Sequence, residues 1–321
     1  MKRFPLTVLT TALALAPLLG HAQAFPEKAI TFVVPFAAGT ATDQIARALG
    51  NQIATETKQA VIIDNKAGAS GFIASQNVAK APADGYTVLI TTNTTHAANE
   101  HLFKKLPYDP VKDFSPVAAL GKGGQIMVVN PSFPAKNVAE FIALAKKEPG
   151  KYSFGSGSSS SRMAGELLQQ MADIKLLHVP YKSNTLAVTD LLGGQINMMI
   201  TDTATGLPQV KAGKLRALGF SSSARSPLAP DVPTISEAGV KGYEMGYWFA
   251  AYAPAKTPPA VVKRLNELLV KAAKSEAAKT AFYEPTGTEV FTTTPEDLAK
   301  FQAAESQKWG RIVKAAGIEA E

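Results

Sequence analysis

The sequence predicts an α/β protein of two lobes. Short β-branched or aromatic runs alternate with segments whose apolar residues recur at helical spacing, the pattern of a mainly parallel sheet with helices on its faces. The alternation is run through twice, on either side of a glycine-rich break at residues 121–124. Each half also contains a small-residue loop that leads from a strand into a helix start.

The first residues read as an address. Lys2 and Arg3 precede an apolar run over residues 6–19, and Ala22-Gln23-Ala24 is a small-x-small cleavage site. Cleavage after Ala24 would leave a mature, exported chain starting at Phe25. No later segment approaches ~20 uninterrupted apolar residues, so that chain is expected to be soluble. The 321 residues include no cysteine, which excludes disulfides, thiolate metal sites and a lipid anchor at the cleavage site. Removing Lys2 and Arg3 leaves 31 basic against 26 acidic residues. The basic residues are scattered, with no run that alternates with aromatics. Nucleic acid is therefore not an expected partner, and a mild preference for anionic ligands is.

In the first half, residues 30–34 are a buried strand ended by Pro35. Residues 36–41 form a tight loop, and Thr42 and Asp43 start a helix carrying Ile45, Ala46, Leu49 and Ile53. Residues 60–63 are a second strand and 72–79 a helix. Residues 87–91 are a third strand, running into the polar segment Thr92-Asn93-Thr94-Thr95-His96. Ligands in such sheets sit beyond the C-terminal strand ends, where both the 36–43 and 91–96 loops fall.

The glycine run 121–124 reads as a break between the strand at 117–120 and a new one at 125–129, the first crossing to the second lobe. There, residues 137–147 are a helix and 152–154 a strand. Next comes the loop Gly155-Ser156-Gly157-Ser158-Ser159-Ser160-Ser161-Arg162, feeding a helix with Met163, Leu167, Leu168 and Met171. Strands follow at 176–179, 196–200 and 215–220, with a helix over 184–192. Residues 234–239 read as a short capped helix, and 247–254 as an aromatic strand returning to the first lobe. Long helices are expected over 258–273 and from Thr294 onward, where Pro295 occupies the first helical position and Trp309 belongs to the core.

Two small-residue loops, each feeding a helix N-terminus, suggest a cleft with two anion-receiving ends. Such a cleft suits a dicarboxylate, or a carboxylate with a second polar group. Phe36 sits persuasively between a strand end and a helix. Asp43 reads equally as a helix cap and as a ligand contact, and Asp202 as a turn residue or a cleft residue. Tyr181 and Trp248 could pack or line the cleft. The serines lack a Gly-x-Ser-x-Gly elbow and an evident base beside them, which counts against a hydrolase. His96, His101 and His178 are too few for a metal site, and no cofactor is expected.

The mature chain resembles the solute-binding receptors of tripartite tricarboxylate transporters, the Bug family. The matching pieces include residues 25–30, Val33-Val34-Pro35-Phe36 with Gly39 and Thr42-Asp43, and Ala83-Asp84-Gly85-Tyr86-Thr87. Further on come residues 158–162 with Ala164-Gly165-Glu166-Leu167, residues 178–182, 190–195, 212–218 and 230–234, and Ala253-Pro254. The resemblance implies a type II, Venus-flytrap periplasmic binding protein fold with two crossing strands. Its lobes would be 25–124 plus 250–321, and 125–249. It implies a monomeric periplasmic receptor, not an enzyme. Such a receptor binds a small carboxylate and hands it to membrane permease subunits; a membrane sensor is the alternative partner. The ligand-binding residues it implies are Phe36, Ala38, Gly39, Thr40, Asp43, Thr92, Asn93, His96, Ser156, Ser158, Ser159, Ser160, Arg162, Tyr181 and Asp202. Two departures from the family pattern stand out. Thr40 follows Gly39 where further glycines are usual, and Arg162 stands where a histidine is common. Arg162 reads either as a clamp on a ligand carboxylate or as a surface helix residue.

Overall fold

The computed structural model describes residues 25–315 and 317–320, so the export segment and its cleavage site lie outside the described residues. The first part of the chain gives β1 (Ile30–Val34), α1 (Ala41–Thr57), β2 (Val61–Asn65), α2 (Phe72–Ala79), β3 (Thr87–Thr92) and α3 (Asn99–Leu102). Then follow β4 (Phe114–Val129), α4 (Val138–Lys147), β5 (Ser153–Ser156), α5 (Ser159–Ala172), β6 (Leu177–Pro180), α6 (Asn184–Leu192), β7 (Met198–Asp202), α7 (Thr203–Lys211) and β8 (Arg216–Phe220). The chain returns through β9 (Gly246–Pro254) to α8 (Pro259–Ala273), the single turns α9 (Glu276–Ala278) and α10 (Glu284–Thr286), and α11 (Pro295–Ala315).

One sheet runs through the molecule in the order β2-β1-β3-β9-β4-β7-β5-β6, with β8 paired to β4. β1 lies parallel between β2 and β3, and β5 lies parallel between β6 and β7. β1 is apolar on both faces because α1 and α2 both pack on it, and Ile30, Phe32, Val33 and Val34 are buried. The expected alternation is thus present in two halves, each with its own parallel strands.

The halves are joined differently from the expectation. Residues 121–124 do not break the chain; β4 is one strand of 16 residues that passes through them. Its first part, Phe114 to Gly124, pairs antiparallel with β9, and Gln125 to Val129 pair with β7 and β8. The glycines serve close approach. A Cβ on Gly123 would lie 2.5 Å from the Tyr247 hydroxyl, and one on Gly124 2.8 Å from Ser222 Cβ. Pairing with β9 overrides the weak strand preference of glycine.

Residues 234–239 are also not a helix but a turn. The capping bonds are made: Glu237 N–H donates to Thr234 Oγ1 (3.0 Å) and Thr234 N–H to the Glu237 carboxylate (2.8 Å). However, Thr234 is drawn alongside Phe220 as a β-bridge, and Gly239, at φ 115°, ends the turn. Trp248 packs: its ring meets Phe301 edge-on at 5.5 Å, and its Nε1–H donates to Glu305 (3.1 Å). Trp309 is core, as expected.

Candidate functional site

Between the two halves lies a cavity of about 30 Å³, lined from one side by Phe36, Thr40, Ala41, Thr42 and Thr92 and from the other by Gly157, Ser158, Ser160, Asn184 and Asp202. Gln125, Tyr247 and Phe249 of the crossing strands form its floor. Four helices begin at this cavity: α1 after Thr40, α5 after Ser158, α6 at Asn184 and α7 after Asp202. Helix N-termini present unpaired amides and the positive ends of their dipoles, so the field favours an anion.

The local chemistry determines which groups remain available. Thr40 precedes α1 without a side-chain cap, because its hydroxyl donates to Ala37 O (2.8 Å). Ser158 caps α5 in a capping box with Ser161. Asn184 holds the second-lobe side together: its Oδ1 accepts from Gly157 N–H (3.0 Å) and the Ser161 hydroxyl (3.0 Å), and its Nδ2 donates to Asp202 Oδ2 (3.0 Å). Asp202 Oδ1 in turn caps α7 through Thr205 N–H (2.8 Å). The one acid in the lining is therefore committed to the protein. Gln125 lines the cavity and is buried, and its Oε1 has no hydrogen-bond partner among the described residues. The Tyr247 hydroxyl joins the lobes, within 3.0 Å of both Thr203 Oγ1 and Thr288 Oγ1. Burial pushes its pKa up to about 12, so it stays a donor.

Of the sequence-derived residues, Phe36, Thr40, Thr92, Ser158, Ser160 and Asp202 come together around this cavity. Ser156, Ser159, Arg162 and Tyr181 lie around an adjoining hollow that shares Phe36, Gly157 and Ser158 with it. Ser159 also ties the halves together, donating to Asn99 Oδ1 (2.8 Å). Ala38, Gly39, Asp43, Asn93 and His96 line neither space. Ala38 and Gly39 are exposed at the loop tip. Asp43 is a loop anchor: Arg47 grips it with Nε and Nη2, both at 2.9 Å, and Gly39 N–H donates to it (2.9 Å). Burial alone would raise its pKa, but the Arg47 and Gly39 bonds outweigh that and hold the carboxyl below its ordinary value. Asn93 donates to Gly246 O (3.2 Å) at the start of β9.

His96 is a core residue. Its ring stacks on Tyr252 at 3.9 Å, and Nδ1 bonds the Thr95 hydroxyl (2.8 Å). Burial pushes its pKa down to about 3. The unfolded chain protonates this ring below about 6.5. Stability should therefore fall as pH drops from there, by up to ~1.4 kcal/mol per unit until the folded value is reached. His96→Leu should remove that component from denaturant unfolding measured between pH 4 and 7; an unaltered slope would count against it.

Sequence reasoning missed Gln125, Asn184, Tyr247 and Phe249 as lining residues. The period of two along β9 does place Tyr247 and Phe249 on one face and Trp248 on the other. It also missed a base beside a serine: the Ser156 hydroxyl lies 2.7 Å from His178 Nε2, on the neighbouring strand.

Comparison with known proteins identifies the family. Residues 45–318 match the tripartite tricarboxylate transporter family receptor. BugT of Bordetella pertussis is 34% identical over 312 residues, which is 96% of this chain and 95% of that protein. Among solved structures, R. palustris Rpa4515 with adipate superposes with a TM-score of 0.89 at 34% identity, covering 92% of this chain and all of that one. MatC from Rhodopseudomonas palustris, with bound malate, gives 0.85 at 32%, covering 90% and all of the respective chains. Both the sequence match over most of the chain and the two-lobed architecture place this protein in the tripartite tricarboxylate transporter receptor family.

Proposed function

We propose that the chain is a periplasmic receptor that captures a small organic carboxylate between its lobes and delivers it to a membrane permease. The observation that carries this is the convergence of four helix N-termini from both lobes on one cavity. The carboxylate sits among the first residues of α1 and α5, near Thr40, Thr42, Ser158 and Ser160, with Gln125 beneath it. The lobes are 25–124 plus 250–321 and 125–249, hinged where β4 changes partners. Ligand shifts the open–closed equilibrium because only the closed form offers both sets of groups at once. The permease reads that form. Residues 1–24 direct export and are removed after Ala24, and the mature receptor acts as a monomer. The carboxylates in the two R. palustris structures support the ligand class.

A thermal-shift screen over small carboxylates tests the reading. A ligand at ~100 times its dissociation constant adds ~2.7 kcal/mol, a rise of roughly 5 °C or more for a chain of this size. The same molecules as methyl esters should give no rise. Equal shifts from acid and ester, or none from any carboxylate, would sink it.

A further inference from the structure

A second space lies between the halves, away from the candidate site. It measures about 610 Å³ and shares no lining residue with the cavity. Tyr247 stands between the two. It lines the cavity, and the threonines that its hydroxyl meets, Thr203 and Thr288, line the hollow. The crossing strand β4 adds Lys122, Gly123 and Gly124 to the wall. The hollow thus lies beyond Tyr247, on the side of the crossing strands away from the cavity.

Each wall is fixed to its own half. The segment 287–290 is tied to β4 by a backbone pair, Lys122 N–H to Glu289 O (3.1 Å) and Glu289 N–H to Lys122 O (2.8 Å). Opposite it, the loop 224–230 is braced by Arg225, which donates to Pro230 O (3.1 Å) and to the Glu237 carboxylate (2.9 Å). Leu228 in this loop packs against the apolar cluster of the second half. Its tip reaches the first half at Gly287, where a Cβ would lie 2.9 Å from Leu228 Cδ1. Gly287 has φ of 65° at the end of α10, so glycine serves both the turn and the close approach. Neither wall can yield alone, so rotating one half against the other must change the volume of the hollow.

We infer that this hollow is a counter-space to the cleft, consumed when the cleft opens, with Leu228 against Gly287 as the stop that limits opening. The inference rests on the closure reading above. The cleft is shut in this structure: Ser159 bonds Asn99 across it, and the cavity has room for two waters at roughly 10–15 Å³ each. A rotation about the crossing strands that parts α1 from α5 drives the loop 224–228 toward 284–290. Bulk added to the hollow therefore opposes opening, and bulk removed at Leu228 permits more of it. The open–closed equilibrium is set in part by residues that no ligand in the cleft touches.

The cysteine-free chain suits a direct test. Nitroxide labels at Lys105→Cys and Thr189→Cys, exposed positions on the two halves, report the interlobe distance by pulsed dipolar spectroscopy on the full mature chain without ligand. Ala224 is exposed and lines the hollow. Ala224→Trp should raise the closed-to-open ratio about threefold or more, and Leu228→Ala should lower it. Thermal melting checks that each variant folds. Two distances whose ratio is unmoved or falls in Ala224→Trp would overturn the counter-space and leave closure standing. So would a ratio that Leu228→Ala fails to lower. A single narrow distance, the same in all three proteins, would overturn the closure reading with it.

Discussion

Gly157→Ala should cost about 3 kcal/mol of stability, lower the melting midpoint by roughly 6–12 °C, and weaken carboxylate binding by about tenfold or more. The cause is contact rather than conformation. A Cβ at this position would collide with the Ser183 carbonyl carbon and the Asn184 nitrogen. Both are backbone at the entry to α6, so no side chain can rotate away. The β5–α5 loop would have to move from α6, breaking the bond from Gly157 N–H to Asn184 Oδ1 and displacing Ser158 and Ser160 from the cavity. Gly193→Ala is the matched control. Its nearest foreign atoms are 3.6 Å away and its φ is −79°, so alanine should be neutral to within ~1 kcal/mol or slightly stabilising. Calorimetric melting of the two variants that gave the same midpoint would refute the contact argument.

Asn184→Asp should be the most damaging conservative change at the site, costing about 2–4 kcal/mol at neutral pH. The new carboxylate can still accept from Gly157 and Ser161. It cannot donate to Asp202, and two carboxylates would share the 3.0 Å contact where an amide now bridges. Like charges at that distance raise the pKa of the pair. The folded variant therefore binds a proton that the unfolded chain releases at about 3.9. Its deficit should be small at pH 4 and grow as pH rises through the raised value. The same added charge opposes an anionic ligand, so affinity should fall at pH 7.5 and recover in part at pH 5. Wild-type stability and affinity at pH 7.5 would show that the Asn184 bridge has no such role.

The parts of this protein that can be read from its sequence are those with local causes. The strand–loop–helix units around Thr40 and Ser158 announce themselves through composition, α1 through apolar spacing, and α4 and α11 through capping residues and apolar spacing. What was hidden depends on partners far along the chain. The run at 121–124 looked like a break because glycine disfavours strands, yet β9 pairs with it throughout. The serines looked available, but Ser158 and Ser161 cap their own helix, Ser159 binds Asn99, and Ser156 meets His178. Asp43 and His96 stood in the right loops, but Arg47 and Tyr252 occupy them. A loop's position can be inferred locally; whether its polar groups are spent cannot.

The Ser159–Asn99 bond has a kinetic side. It joins the two halves without any ligand atom, so it favours shutting by the same amount for every occupant. An interaction of that kind leaves discrimination between ligands unchanged. In the proposed closure it would set the residence time, because the lobes could not part without opening this bond. If the chain works as proposed, an asparagine and a serine tune how long a bound ligand stays, independently of which ligand it is.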